Sequence, residues 1–158
     1  MQLTIRPLLK KDIKQVSSFL SEMWFFHAEN SSLINAKNLK KLNVNTYLKK
    51  IFKSKNQTAF VASLDNEIVG FVRCEIKKCP SFYYSKKEVY IDDLIVLEKF
   101  QKKGLAKKLI NECILFAKKK KINLVTSKVY NFNKKSKALF EKKGFKEDYC
   151  FLSYKIKK

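Results

Sequence analysis

Apolar positions along the chain change their period several times, and each change marks an element. Gln2 to Arg6 alternates apolar and polar residues, the two-residue period of a strand. Beyond Pro7 the spacing becomes helical: Ile13, Val16, Phe19, Leu20 and Met23 share one face, and Asp12 stands where an N-cap would open that helix. Phe25 to Leu42 carries Asn and Ser clusters and predicts a loop with helical pieces. A second helix is expected from about Asn45 to Lys53, with Tyr47, Leu48, Ile51 and Phe52 apolar. Thr58 to Leu64 and Ile68 to Ile76 are rich in strand formers and are joined at Asp65-Asn66, the chemistry of a tight hairpin turn. A third strand, Val89 to Leu97, follows a loop around Pro80 to Lys86. Gly104 opens a helix reaching about Lys120, with Ala106, Leu109, Ile110, Cys113 and Ala117 at helical spacing. Ile122 to Val129 reads as a strand. Lys134 to Lys143 reads as a helix that stops at Gly144, and Phe145 to Ile156 alternates weakly enough to predict one or two strands. This order describes an α+β chain: a mixed sheet with helices on both faces.

Composition narrows the class. At 158 residues, with 46% hydrophobic and 13% aromatic content, the chain fits a single globular domain over residues 1–158. No apolar run nears the roughly 20 residues that span a bilayer. Met1 to Lys10 lacks the apolar core of a signal peptide, so the expected location is the cytoplasm and no membrane partner is expected. Cys74, Cys79, Cys113 and Cys150 form no CxxC pair, so neither a metal site nor a redox motif is expected. The net charge of +21 would suit an anionic partner, but only Arg6 and Arg73 among 35 basic residues are arginine. Nucleic-acid sites favour arginine forks, so nucleic acid is not the expected partner and a lysine-coated surface is the simpler reading.

One stretch carries chemistry. The strand through Tyr90-Ile91-Asp92-Asp93-Leu94-Ile95-Val96 runs into a turn, then Gln101-Lys102-Lys103-Gly104-Leu105-Ala106 starts a helix. Amides at a helix start point outward with partial positive charge and can hold a pyrophosphate. Gly104 and Ala106 are small enough for close approach, and Lys102, Lys103, Lys107 and Lys108 add charge. An ordinary strand-to-helix turn is the competing reading.

The hexapeptide Gln101 to Ala106 resembles the acetyl-CoA loop of the GNAT N-acetyltransferase superfamily, in which Arg or Gln is followed after two residues by Gly and then by a small residue. Val96 stands where that family keeps an apolar strand residue. Asn133 to Phe145, reading N-K-K-S-K-A-L-F-E-K-K-G-F, resembles the family's second motif, N-x-x-A-x-x-x-Y-E-K-x-G-F. Thr4-Ile5-Arg6 with Asp12-Ile13, Phe25-Phe26-His27-Ala28, and Glu67-Ile68-Val69-Gly70-Phe71 extend the likeness over most of the chain, nearest in pattern to the small-amine, spermidine/spermine-like branch. The resemblance implies the GNAT fold: a mostly antiparallel sheet whose two parallel strands, Val89 to Leu97 and Ile122 to Val129, splay apart to receive acetyl-CoA.

It also implies roles. Acetyl-CoA is the cosubstrate and a primary amine the acceptor, attacked directly in a ternary complex. Leu94, Ile95 and Val96 would contact pantetheine through backbone, with a plain core role as the alternative. Gln101, Lys102, Lys103, Gly104, Leu105, Ala106 and Lys107 would hold the pyrophosphate. Asn133 would bond the pantetheine arm or serve only as a helix cap. Ser136, which replaces the family's alanine, and Phe140 would also contact the cofactor. An attacking ammonium must lose a proton, and Asp92 is the expected base, with Asp93 facing the other side of a regular strand and a bulge swapping the two. A salt-bridged surface carboxylate is the alternative. Trp24, Phe26 and His27 would line the acceptor side or belong to the core. Phe140 replaces the tyrosine that protonates the departing thiolate, leaving water, Tyr130 or Tyr149 for that step. The same departure supports the other reading: a GNAT-like module that binds CoA or nucleic acid without transfer. A homodimer is compatible with the resemblance.

Overall fold

A computed structural model describes residues 2–154 and 156. Five strands form one sheet in chain order: β1 (Leu3–Pro7), β2 (Gln57–Leu64), β3 (Glu67–Lys78), β4 (Lys87–Val96) and β5 (Val125–Ser127). Neighbours are antiparallel except β4 and β5, which run parallel. Helices α1 (Ile13–Asn30) and α3 (Val44–Ile51) cover one face, and a short α2 (Ala36–Leu39) lies between them in sequence. Helices α4 (Leu105–Lys119) and α5 (Lys134–Glu141) cover the other.

Alternation along the central strands feeds both layers. On β3, Ile68 and Phe71 face the α1/α3 core with Val16, Phe19, Leu20 and Leu48, while Val69, Val72 and Cys74 face the α4 core with Leu105, Leu109, Ile110 and Cys113. A sheet buried on both faces has few polar side chains to spare, which makes Arg73 and Asp93 conspicuous as buried charges. Gly70 marks the closest approach of α4: a Cβ there would lie 3.1 Å from Leu109 Cδ1 and 3.3 Å from the Ile95 carbonyl oxygen. The β2–β3 turn has Asp65 and Asn66 both at positive φ, 47° and 70°, as a two-residue hairpin requires.

The structure corrects several expected boundaries. Helix α1 does not stop at Met23 but continues to Asn30, so the aromatic run from Trp24 to Phe26 and His27 is helical. Asp12 occupies the N-cap position but its side chain caps no amide of α1; its carboxylate takes the two terminal nitrogens of Arg6, at 2.6 and 3.0 Å, and the Leu9 amide of the short turn before the helix. Helix α3 is capped instead by Asn43, which accepts from the Thr46 amide. β5 is three residues long rather than eight, because only Val125 to Ser127 stay paired with β4. Residues 145–154 and 156 carry no strand. Alternation needs a neighbouring edge to become a strand, and here Phe151, Leu152 and Tyr154 are exposed instead.

Candidate active site

The site begins with a bulge. Arg73 on β3 pairs with Asp93 on β4, but the next β3 residue, Cys74, pairs with Ile91, so Asp92 is an extra residue. Before the bulge, odd-numbered Val89 and Ile91 face α4; after it, even-numbered Leu94 and Val96 do. The phase change turns Asp92 and Asp93 toward the same face, that of α1 and α3. A regular strand would have separated them.

Arg73 holds both. Its Nε donates to Asp93 Oδ2 at 3.0 Å, its Nη2 is in direct contact with Asp92 Oδ2, and its Nη1 lies 3.6 Å from Glu75 Oε2. The guanidinium carbon stacks 4.8 Å from the centroid of the Tyr47 ring. Asp93 also accepts from Tyr47 Oη at 2.6 Å and from Trp24 Nε1 at 3.1 Å. Its side chain is 6% exposed, whereas that of Asp92 is 34% exposed. Of the two carboxylates, Asp93 is locked and Asp92 is reachable. Burial, reinforced by the Asp93 carboxylate, pushes the Tyr47 phenol well above its ordinary value, so it serves only as a donor.

Directly beside this network the sheet opens. β4 pairs with β5 through Val89, Tyr90 and Ile91 only, and Ser127 Oγ closes the base of the gap by donating to the Ile91 carbonyl at 3.0 Å. From Asp92 to Val96, β4 has no β5 partner. The open edge leads to the start of α4. Gln101 Nε2 donates to the Val96 carbonyl at 3.0 Å, tying the turn to the strand end. Gly104 then enters the helix at φ 77°, with no side chain capping that end. The amides of the first turn have no carbonyl one turn back, and Lys102, Lys103 and Lys107 are exposed around them. A cavity of about 280 Å³ runs between α1 and the end of β4, lined by Glu22 and Phe26 on one side and Ile95, Val96, Glu98 and Gln101 on the other.

Four rings pack together where the chain leaves β5. Phe26 meets Phe132 edge-on at 5.9 Å, His27 lies 5.2 Å from Tyr130, and Tyr130 stacks on Phe132 at 5.3 Å. They join the last turns of α1 to the segment after β5. Burial lowers the His27 pKa, opposed by the Asp93 carboxylate, so the imidazole is neutral at pH 7.

The family model of the GNAT acetyltransferases matches residues 20–145, which takes in β2 to β5, α4 and α5, the bulge and the turn into α4. The chain belongs to the GNAT acetyltransferase family. It is therefore an enzyme, an acetyl-CoA-dependent N-acetyltransferase. It is 23% identical over 154 residues to the uncharacterized N-acetyltransferase YhfO of Bacillus subtilis, covering 96% of this chain and 95% of that one. A mutant of the BH1408 protein of Bacillus halodurans shares the fold with a TM-score of 0.85 at 20% identity, covering 97% and 99% of the two chains. The aminoglycoside N-acetyltransferase AAC(6')-Iy, solved with CoA, has a TM-score of 0.80 at 19% identity, covering 98% and 95%.

Within this GNAT chain the residues expected from the sequence fall into groups. Asp92 and Asp93, Leu94 to Val96, and Gln101 to Lys107 lie along one path from the bulge to the α4 start; Leu105 turns its side chain into the core. Asn133 is the N-cap of α5, its Oδ1 accepting from the Ser136 amide at 3.0 Å, which leaves its NH2 group for another partner. Phe140 is 5% exposed and packs edge-on against Phe145 at 5.0 Å, in the α4-side core. Trp24 joins the carboxylate network, and Phe26 and His27 join the ring cluster. Sequence reading missed Arg73, Tyr47 and Glu75. The one signal for Arg73 was its rarity: an arginine in a chain that otherwise uses lysine.

Proposed function

We propose that this enzyme acetylates a primary amine by direct attack within a ternary complex, with Asp92 receiving the proton the amine must lose. The observation that carries this reading is the bulge, which sets two carboxylates on one face beside the gap where β5 leaves β4. Acetyl-CoA supplies the acetyl group as a thioester. The α4 start fits its pyrophosphate: amides without helical partners, glycine in the left-handed region, and lysines 102, 103 and 107 around them. The backbone of Leu94, Ile95 and Val96, which β5 does not pair, binds the pantetheine amides. The Asn133 NH2 contacts the same arm, and Ser136 and Phe140 support it through α5. Asp93 orients Trp24 and Tyr47 by accepting a hydrogen bond from each. Trp24, Phe26 and His27 border the acceptor. Tyr130, where the chain leaves β5, is the hydroxyl best situated to return a proton to the thiolate, since Phe140 has none.

The acceptor class to test first is a small polycationic amine. Glu22 and Glu98 give the cavity a negative edge in a protein of net charge +21, and an aminoglycoside acetyltransferase shares the fold. Calorimetry should detect CoA and acetyl-CoA binding, and free-thiol release should appear with some member of an amine panel. Asp92→Asn should keep CoA affinity within about two-fold and lose roughly 100-fold in turnover, the range for a positioned proton acceptor. No CoA binding by folded protein would end this reading. CoA binding without thiol release from any amine of the panel would end the reading of a primary-amine acceptor.

A further inference from the structure

We propose that Arg73 is the positioning residue of this acetyl-transfer site, holding the Asp92 and Asp93 carboxylates on one face of the sheet so that Asp92 meets the acceptor. The proposal rests on the reading of Asp92 given above. Adjacent carboxylates repel, and a bulged strand leaves its extra residue without a ladder partner to fix it. One cation must therefore reach both side chains from the neighbouring strand. Arg73 does so from the position directly opposite Asp93, with Nε on one carboxylate and Nη2 on the other. Glu75, 3.6 Å from Nη1 and bonded to Gln57 Nε2 at 3.3 Å, steadies the third nitrogen. The Tyr47 ring covers the guanidinium face at 4.8 Å.

Composition supports a specific need for this side chain. The chain has 35 basic residues and only two are arginine. The other, Arg6, also makes a two-pronged contact, to both oxygens of Asp12 at 2.6 and 3.0 Å. Elsewhere lysine suffices; where a planar fork must bridge two oxygens, arginine stands. A lysine ammonium at position 73 would have a single charged point to share between two carboxylates. The charge balance also suits the role. Arg73 and Lys77, which is 3.0 Å from Glu75 Oε1, face the three carboxylates of Asp92, Asp93 and Glu75, so the group keeps a net negative charge toward an incoming ammonium while the carboxylates stay ordered.

The protein contains one tryptophan, and Trp24 donates to Asp93, so its emission reports the network directly. The test compares Arg73→Lys and Asp92→Asn with the unmodified protein, using acetyl-CoA and the best amine of the panel. In Arg73→Lys we expect kcat to fall about 10- to 100-fold, acceptor KM to rise several-fold, CoA affinity to stay within two-fold, and Trp24 emission to shift. Unchanged kcat and emission in Arg73→Lys, with Asp92→Asn inactive, overturns the Arg73 proposal alone. Full turnover in Asp92→Asn overturns the reading of Asp92 and the proposal with it. Loss of CoA binding in Arg73→Lys, or a rise of acetyl-CoA KM in step with the fall in kcat, marks a general folding role and also overturns the proposal. Arg73→Met combined with Asp93→Asn removes the buried charge pair together; it should fold, bind CoA, and remain as slow as Arg73→Lys. Recovery of kcat in that double variant would overturn the assignment.

Discussion

Gly104 shows how one backbone angle ties sequence to site. At φ 77° an L side chain is strained, although the space around the position is open. Gly104→Ala should therefore destabilise the fold by roughly 1 kcal/mol or more through the backbone alone. Gly104→Glu adds a carboxylate where an anion is to be held. It should weaken CoA binding at least about ten-fold beyond the alanine variant, measured by calorimetry. This residue was legible because its requirement is local: a turn, then a helix start. Asp92 and Asp93 were legible as a pair but not in orientation. Whether neighbours on a strand share a face depends on the ladder with β3, which the local sequence does not encode. Arg73 lies twenty positions before Asp93, and only the hairpin brings them opposite each other. Phe140 was legible for its missing hydroxyl, whereas its packing against Phe145 in the core depends on long-range contacts that the local sequence does not encode.

Among the elements, the last turns of α1 were the least legible and matter greatly to the site. Asn and Ser clusters beyond Met23 signal a loop, but tertiary packing extends the helix to Asn30 and sets Phe26 and His27 against Tyr130 and Phe132. This packing has a measurable acid limit. Burial first, with Asp93 opposing, leaves the folded His27 pKa below the ordinary value of 6.5. The unfolded chain then binds more protons than the folded one in this range. The stability associated with His27 is intact above about pH 6.5 and declines in the acid interval below it. Melting temperatures across that interval should drop for the unmodified protein and flatten for His27→Gln. A slope equal in both would show that the ring cluster does not shield this imidazole. The helices α4 and α5 were easier to read, because a left-handed glycine adjoins each of them: Gly104 at the start of α4 and Gly144 just past the end of α5.

For the molecule as a whole, lysine dominates the electrostatics. A net charge of +21 repels itself, and exposed charges are screened over about 10 Å at 0.1 M salt. Raising NaCl from about 20 to about 300 mM should raise the melting temperature and weaken CoA binding, since the phosphates lose part of the attraction of Lys102, Lys103 and Lys107. If CoA affinity ignores salt, those lysines are bystanders and the amides alone hold the phosphates. The two-core sheet was readable from periodicity, whereas the unpaired tail was not: alternation from Phe145 onward has the pattern of a strand but finds no edge to join. The shortness of β5 carries one more consequence. Beyond the gap, α5 and the rings after Ser127 follow a strand with only three ladder positions, and the rest of their hold is side-chain packing, through Phe140 in the α4-side core and through the rings against α1. Such a flap can unzip for much less than the whole domain costs to unfold. Its amides should exchange with solvent long before those of β2 and β3, so that thermal breathing at this narrow seam, rather than a dedicated lid, lets a long cosubstrate slide in and out.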